Sequence, residues 1–230
     1  MSAYHYLAAI VCVSVLVIDA SAQKCCLPDD VFSVRKGGVT ATTRTGFLGL
    51  LFGQTSLTEE HDSVYDFTNN RFATFITRMI IAPTYVEQHV QVIEQPGKDY
   101  VWVIDLDKQK CFKGAKEVYL FHLERCVSDY LIYSNTYYWG NKEIFVDGYY
   151  YGMQDPAPGV YSISVTQQCL PISETFIGKT NSWDVSQNVA SSMGFYNYTV
   201  GIENPDKYFT VPDYCQTEVE QKDNSIFSWW

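Results

Sequence analysis

The chain has 230 residues, a formal net charge of −10 and an aromatic content of 16%, led by 18 tyrosines. That acidity excludes the basic footprint that nucleic-acid phosphates require, and it speaks against simple adhesion to anionic membranes. So many aromatic side chains suit strands and amphipathic pocket walls, which favours an all-β fold over a helical one.

The first element is a leader. Leu7 to Ile18 is almost unbroken apolar sequence, short of the roughly 20 residues that span a bilayer, and Ala20-Ser21-Ala22 fits the small-x-small cleavage rule. The expected organisation is a signal peptide over 1–22, one β domain over 23–215 and a C-terminal tail over 216–230, with no transmembrane segment and a secreted, extracellular location. Of the seven cysteines, Cys12 leaves with the leader. Cys25, Cys26, Cys111, Cys126, Cys169 and Cys215 remain, an even number that an oxidising compartment converts to disulfides. Fifteen pairings are open, and Cys25 and Cys26, being adjacent, are expected to reach separate partners.

After the double cysteine, Asp30 to Arg35 and Val39 to Thr43 read as two short strands of a hairpin about Lys36-Gly37-Gly38. Gly46 to Gly53 is an apolar, glycine-punctuated loop or strand. Ser63 to Asp66 and Arg71 to Ile81 form a second hairpin about Thr68-Asn69-Asn70. Tyr85 to Ile93 and Asp99 to Leu106 follow, separated by Gln95-Pro96-Gly97-Lys98; Tyr100 to Ile104 is apolar on both faces and therefore central. Asp107-Lys108-Gln109 turns the chain into Cys111. Val118 to Cys126 is open between a short helix and an irregular linker. Asp129 to Tyr138 and Lys142 to Gly152 are strands joined at Gly140-Asn141.

The clearest strand is Val160 to Gln168, where Tyr161, Ile163 and Val165 alternate with Ser162, Ser164 and Thr166. Cys169-Leu170-Pro171 ends it. Ile172 to Ile177 is a short strand, and Ser182 to Tyr198 is expected to hold a helical turn before a last strand to Ile202. Asn204-Pro205-Asp206 breaks regular structure, Val211 to Cys215 fixes the chain end, and the tail to Trp230 is expected to be loosely ordered. Many short strands and almost no amphipathic helix give a β-sandwich or open barrel.

The order of these features resembles the ependymin-related proteins, in an invertebrate-type version. The resemblance rests on Tyr65-Asp66 with Asn70-Arg71, on Tyr100-Val101-Trp102-Val103-Ile104-Asp105 running into Cys111, and on Tyr161 leading to Cys169-Leu170-Pro171-Ile172. Phe195-Tyr196-Asn197 and Gly201-Ile202-Glu203-Asn204-Pro205, continuing through Phe209 and Pro212 to Cys215, complete it. It implies two antiparallel curled sheets about an apolar pocket, as in bacterial lipoprotein-carrier domains. It also implies secretion, glycosylation, homodimers, calcium binding, and lipid or extracellular-matrix partners. By matching positions, Cys111 pairs with Cys215; one of Cys25 and Cys26 pairs with Cys169 and the other with Cys126.

Chemistry-bearing motifs are sparse. There is no G-x-S-x-G elbow and no H-E-x-x-H helix, and Gly178-Lys179-Thr180 lacks the first glycine of a phosphate loop. His61, His89 and His122 read as surface or edge-strand histidines. The expectation is a protein without enzymatic activity and without an organic cofactor. Calcium, which needs six to eight oxygens at one point, has candidate ligands at Asp105 and Asp107 and in the acidic run Glu59, Glu60 and Asp62. Asn197-Tyr198-Thr199 is a glycosylation sequon.

A ligand pocket is expected to be lined by Phe75, Trp102, Tyr161, Ile163 and Trp183, taking a lipid or another amphipathic small molecule. On that expectation, shrinking Trp102 weakens ligand uptake more than folding. The alternative function is a structural or adhesive, calcium-dependent matrix protein with no ligand transport.

Overall fold

The computed structural model describes residues 25–44, 54–82, 85–115, 123–154, 158–182, 185–216 and 219–221. Twelve strands run in chain order: β1 (Val31–Arg44), β2 (Gln54–Asp66), β3 (Arg71–Ala82), β4 (Val86–Glu94), β5 (Tyr100–Asp105), β6 (Lys110–Ala115), β7 (Ile132–Trp139), β8 (Ile144–Met153), β9 (Gly159–Thr166), β10 (Pro171–Ser182), β11 (Val185–Val200) and β12 (Val219–Gln221). Among the described residues, one short helix, α1 (Pro205–Phe209), and one 3-10 turn (Asp213–Gln216) lie near the C-terminus.

The strands form one sheet in the order β12-β6-β5-β4-β3-β2-β1-β11-β10-β9-β8-β7. All neighbours are antiparallel except the parallel pair β12–β6. The all-β expectation holds, but the two separate sheets are one continuous sheet, not closed into a barrel.

Side-chain alternation explains how one sheet builds two cores. Along β1, Phe32, Val34, Lys36, Thr40 and Thr42 are buried while Arg35, Val39 and Thr43 are exposed, the period of two that a pleated strand imposes. On this inner face, Phe32, Val34, Tyr65 and Phe72 of β1–β3 share a cluster with Ile163 and Val165 of β9, and Leu27 and Leu123 belong to the same cluster. β9 stands three strands away from β1, roughly 14 Å along a flat sheet, so the sheet curls toward this face. Ile76, Val90, Val92, Val101, Val103 and Phe112 continue the inner core along β3–β6.

The outer face of β2–β6 has its own cover. Val64, Ala73, Ile93, Trp102 and Ile104 pack beneath Tyr208, Cys215 and the flanking Ile202, Phe209, Val211 and Tyr214. The Cys111–Cys215 disulfide fixes this cover to the sheet. Gln91 Nε2 donates to the Tyr208 carbonyl at 3.0 Å, and the Tyr208 hydroxyl donates to Asp62 at 3.1 Å. The β2–β3 turn is held by Asp66, which accepts from the Asn69 backbone, the Asn69 amide and Arg71 Nε at 2.8–3.0 Å. The Arg71 guanidinium then lies 4.1 Å from the Phe209 ring centroid. Asp66 and Arg71 therefore latch a hairpin to the C-terminal cover.

Three expectations are corrected. Lys36-Gly37-Gly38 is not a hairpin turn but the middle of the 14-residue β1. A Cβ on Gly38 would come within 1.9 Å of the Ser192 carbonyl oxygen on β11, so glycine serves a close approach between strands and not a reversal. No helical turn lies within Val185–Val200, which is one strand of 16 residues; Val189, Ser191 and Met193 are buried while Asn188, Ala190 and Ser192 are exposed. Finally, β12 pairs with β6, so the sheet takes in three residues beyond Cys215 that were assigned to the tail. Gly178-Lys179-Thr180 lies within β10, in extended strand. Gly46 to Gly53 and the leader are outside the described residues.

Candidate functional site

Adjacent residues of an extended chain point to opposite sides. The structure uses that at the N-terminus: Cys25 bonds Cys169 and Cys26 bonds Cys126. The two flanking segments also pair through the backbone, Leu27 N–H donating to the Arg125 carbonyl and Val127 N–H to the Cys25 carbonyl, each at 2.7 Å. Cys169 sits in the β9–β10 turn with φ of 65°, its N–H donating to the Thr166 carbonyl at 2.8 Å. Two disulfides thus clip the 25–27 and 123–131 segments against the end of β9 and β10.

Between these parts lies a cavity of about 270 Å³. Its walls are Leu27, Leu123, Val127 and Leu131 on one side and Tyr151, Met153, Tyr161, Ile163 and Val165 on the other, with Cys25, Cys126, Cys169 and Pro171 between them. Polar groups gather at the rim, where Glu124, Arg125 and Tyr130 are exposed. The Tyr130 hydroxyl donates to Glu124 Oε1 at 3.4 Å, and Arg125 pairs with Asp30 at 2.5 Å. Inside, the Tyr161 hydroxyl donates to Glu174 Oε2 at 3.4 Å. Burial, together with the charge of Glu174, pushes the Tyr161 pKa well above that of a free phenol, so this hydroxyl stays protonated as a donor. A mostly apolar wall with polar groups beside it fits an apolar group that carries a polar end.

Below the cavity, the inner face carries a belt of buried charge. Lys36 crosses β11, passing 5.8 Å from the Phe195 ring centroid, and donates to Glu174 at 2.8 Å. Arg78 Nε donates to Glu59 at 2.8 Å. His61 Nε2 is 3.6 Å from the other Glu59 oxygen, beyond hydrogen-bond reach, and has no hydrogen-bond partner among the described residues. Burial depresses the His61 pKa and nearby Lys36 adds to that, against the pull of Glu59. Burial acts to raise the Glu59 pKa, but contact with His61 and the charge of Arg78 outweigh it and leave it lowered. The expectation of a surface or edge-strand histidine therefore fails at His61.

The five residues expected to line one pocket are not brought together. Tyr161 and Ile163 line the cavity. Phe75 and Trp102 belong to the outer-face core, where the Phe75 ring meets Tyr208 at 5.5 Å. Trp183 lies outside the described residues. The leucines of the 123–131 segment, absent from the expectation, are the cavity's second wall.

The candidate calcium carboxylates do not converge either. Asp105 accepts from the Lys108 backbone and ammonium at 2.9 and 3.1 Å, and Asp107 accepts from the His89 backbone and faces its Nδ1 at 2.8 and 2.9 Å. Strand alternation splits the acidic run: Glu59 turns inward to Arg78, while Glu60 and Asp62 face outward, near Arg35. Among the described residues, no three His, Cys, Asp or Glu side chains are grouped as a metal site requires.

Fold and site together define a disulfide-stapled, all-β chain whose curled sheet carries a small apolar cavity. The Ependymin family model matches residues 85–215, more than half of the chain. The chain belongs to the ependymin family. It also resembles the "Development-specific protein LVN1.2" of Lytechinus variegatus, with 37% identity over 54 residues, a stretch covering 24% of this chain and 29% of that protein. Family and disulfides are consistent with a secreted, extracellular protein. Among the described residues, no helix is long and apolar enough to cross a membrane.

Proposed function

We propose that the protein is a secreted binder of a small amphipathic molecule, whose apolar part occupies the cavity between β8–β10 and the 123–131 segment while its polar end stays at the rim. The observation that carries this reading is the cavity itself, lined mostly by apolar side chains, with the Tyr161 hydroxyl inside and Glu124, Arg125 and Tyr130 exposed beside it. Its volume of about 270 Å³ also selects the ligand class. A dry cavity of roughly 150 Å³ holds benzene, so this one suits a single ring or a short alkyl segment and is too small for a two-chain lipid. The role assigned is binding and not catalysis.

Asn197 is the proposed glycan site. It is exposed, with φ of 52°, where the β1–β11 register shifts. The neighbouring Tyr198 hydroxyl is tied to Asp29 at 3.2 Å, so the bulge turns Asn197 to solvent.

Equilibrium binding of decanoate, read as displacement of the fluorescent amphiphile 1-anilinonaphthalene-8-sulfonate, tests the ligand reading. Wild type should bind saturably, and Ile163→Trp, which fills the cavity, should weaken binding at least tenfold without lowering the melting temperature. Equal affinity in a folded Ile163→Trp would refute the assignment.

A further inference from the structure

We propose that the cavity selects amphiphiles whose polar end is a quaternary ammonium, seated among Tyr130, Tyr151 and Tyr161 and beside Glu124. This rests on the ligand reading above and adds to it the charge and kind of the polar group.

Three phenol rings meet at the cavity. Tyr151 of β8 and Tyr161 of β9 are directly opposed in the ladder, so their side chains stand on the same face of the sheet. Tyr130, from the 123–131 segment, brings its ring centroid to 4.8 Å from that of Tyr151, with the planes tilted by 58°. All three line the cavity. Tyr130 is exposed and the other two are half-buried, while Ile163, two residues on from Tyr161 along the same face, carries the apolar wall. The electron-rich face of a tyrosine attracts a cation, most strongly one that has shed its water, and grouped rings recognise quaternary ammonium ligands in this way. Burial, followed by the charge of Glu124 at Tyr130 and of Glu174 at Tyr161, raises the pKa of both phenols, so these rings stay neutral.

The charges around the cavity favour a cation over an anion. Among the described residues, Arg125 is the one cation that lines the cavity, and it is engaged by Asp30. Glu124 is the one lining carboxylate. It accepts from the Tyr130 hydroxyl at 3.4 Å and meets no cation among the described residues. The Tyr161 hydroxyl already faces Glu174. A carboxylate head therefore finds these side-chain donors engaged and a like charge beside it, so decanoate, held through its alkyl chain, is the weaker ligand. A primary ammonium needs acceptors for three N–H groups, which such walls do not supply. A quaternary ammonium needs none. The net charge of −10 draws cations to the chain as well.

The test titrates the full secreted chain calorimetrically with decyltrimethylammonium and with decanoate, matched in chain length and opposite in charge, at physiological ionic strength. Wild type should bind the cation more tightly by about tenfold. Tyr130→Leu, which keeps the charge and an apolar side chain at an exposed position, should narrow that ratio severalfold, and Glu124→Gln should narrow it too. Tyr130→Phe, which keeps the ring, should hold the ratio. Equal affinities, or tighter binding of decanoate, would overturn the ammonium assignment and leave the cavity reading standing. A preference that survives both Tyr130→Leu and Glu124→Gln would trace to overall charge and overturn the assignment equally. If neither amphiphile binds, the cavity reading falls and this proposal with it.

Discussion

At the scale of single residues, Trp102 and His61 show what burial decides. Trp102 sits beneath the C-terminal cover on the outer face, 8% exposed, and Lys113 lies 4.9 Å from its ring centroid. Trp102→Ala should therefore cost about 3–5 kcal/mol of stability, the usual penalty for emptying an aromatic site, while ligand affinity in the folded fraction stays unchanged. Denaturant unfolding with parallel probe binding checks both halves. Weakened binding with unchanged stability would return Trp102 to the pocket.

His61 makes stability depend on pH. Its folded-state pKa is lowered from 6.5, chiefly by burial, so the unfolded chain takes up a proton that the folded chain refuses. The resulting stability is complete above the unfolded value and is lost as pH falls from there toward the folded one. Glu59, also lowered, loses its contribution in the same direction, further into acid. Lys36, Arg78 and Glu174 are the other charges of the belt. The melting temperature should drop between pH 7.5 and pH 5.5, by ~2–4 °C for each kcal/mol lost. His61→Gln should flatten the upper part of that window. An identical pH profile in the variant would show that His61 takes no part.

At the scale of elements, the disulfides separate stability from function. Cys26–Cys126 and Cys111–Cys215 close loops of nearly equal length, with sequence separations of 100 and 104. Chain entropy assigns each about 4.7 kcal/mol, so removing either should destabilise the fold alike. Only the first holds a cavity wall. Cys26→Ser with Cys126→Ser should abolish probe binding at temperatures where the protein is still folded, and Cys111→Ser with Cys215→Ser should preserve it. Loss of binding in both double variants would mean that the cavity depends on the whole fold and not on its own clip.

Most strands were legible because their side chains alternate and their turns carry Gly, Pro or Asn. The β9 strand, the β4–β5 hairpin and the turn between β2 and β3 fall within a few residues of expectation, but β2 starts at Gln54, well before the expected Ser63. β1 was split because Gly37-Gly38 signals a turn locally, and nothing local says that β11 needs room beside Gly38. The site was half legible for a related reason. Alternation shows that Trp102 and Ile163 each face a core, but a sheet with two covered faces has two cores, and period alone does not say which. Leu123 and Leu131 were missed because their segment has no period at all; its place is fixed by Cys126, a contact 100 residues distant in sequence.

At the scale of the molecule, one curled sheet is closed differently on each face. The outer face takes a C-terminal cover locked by a disulfide, while the inner face takes apolar clusters, a neutral-sum belt of paired charges, and an apolar cavity framed by two more disulfides. The belt consists of the buried pairs Lys36–Glu174 and Arg78–Glu59, in which each charge offsets the cost of burying the other, so that removing one partner alone is strongly destabilising. What the arrangement leaves is a small, mostly apolar, clipped recess on an acidic chain. Native mass spectrometry of the secreted protein, followed by solvent extraction, addresses that reading most directly. The account predicts a bound single-chain or single-ring amphiphile, retained by wild type and absent from Ile163→Trp. Wild-type protein that carries nothing and takes up no added decanoate would contradict it.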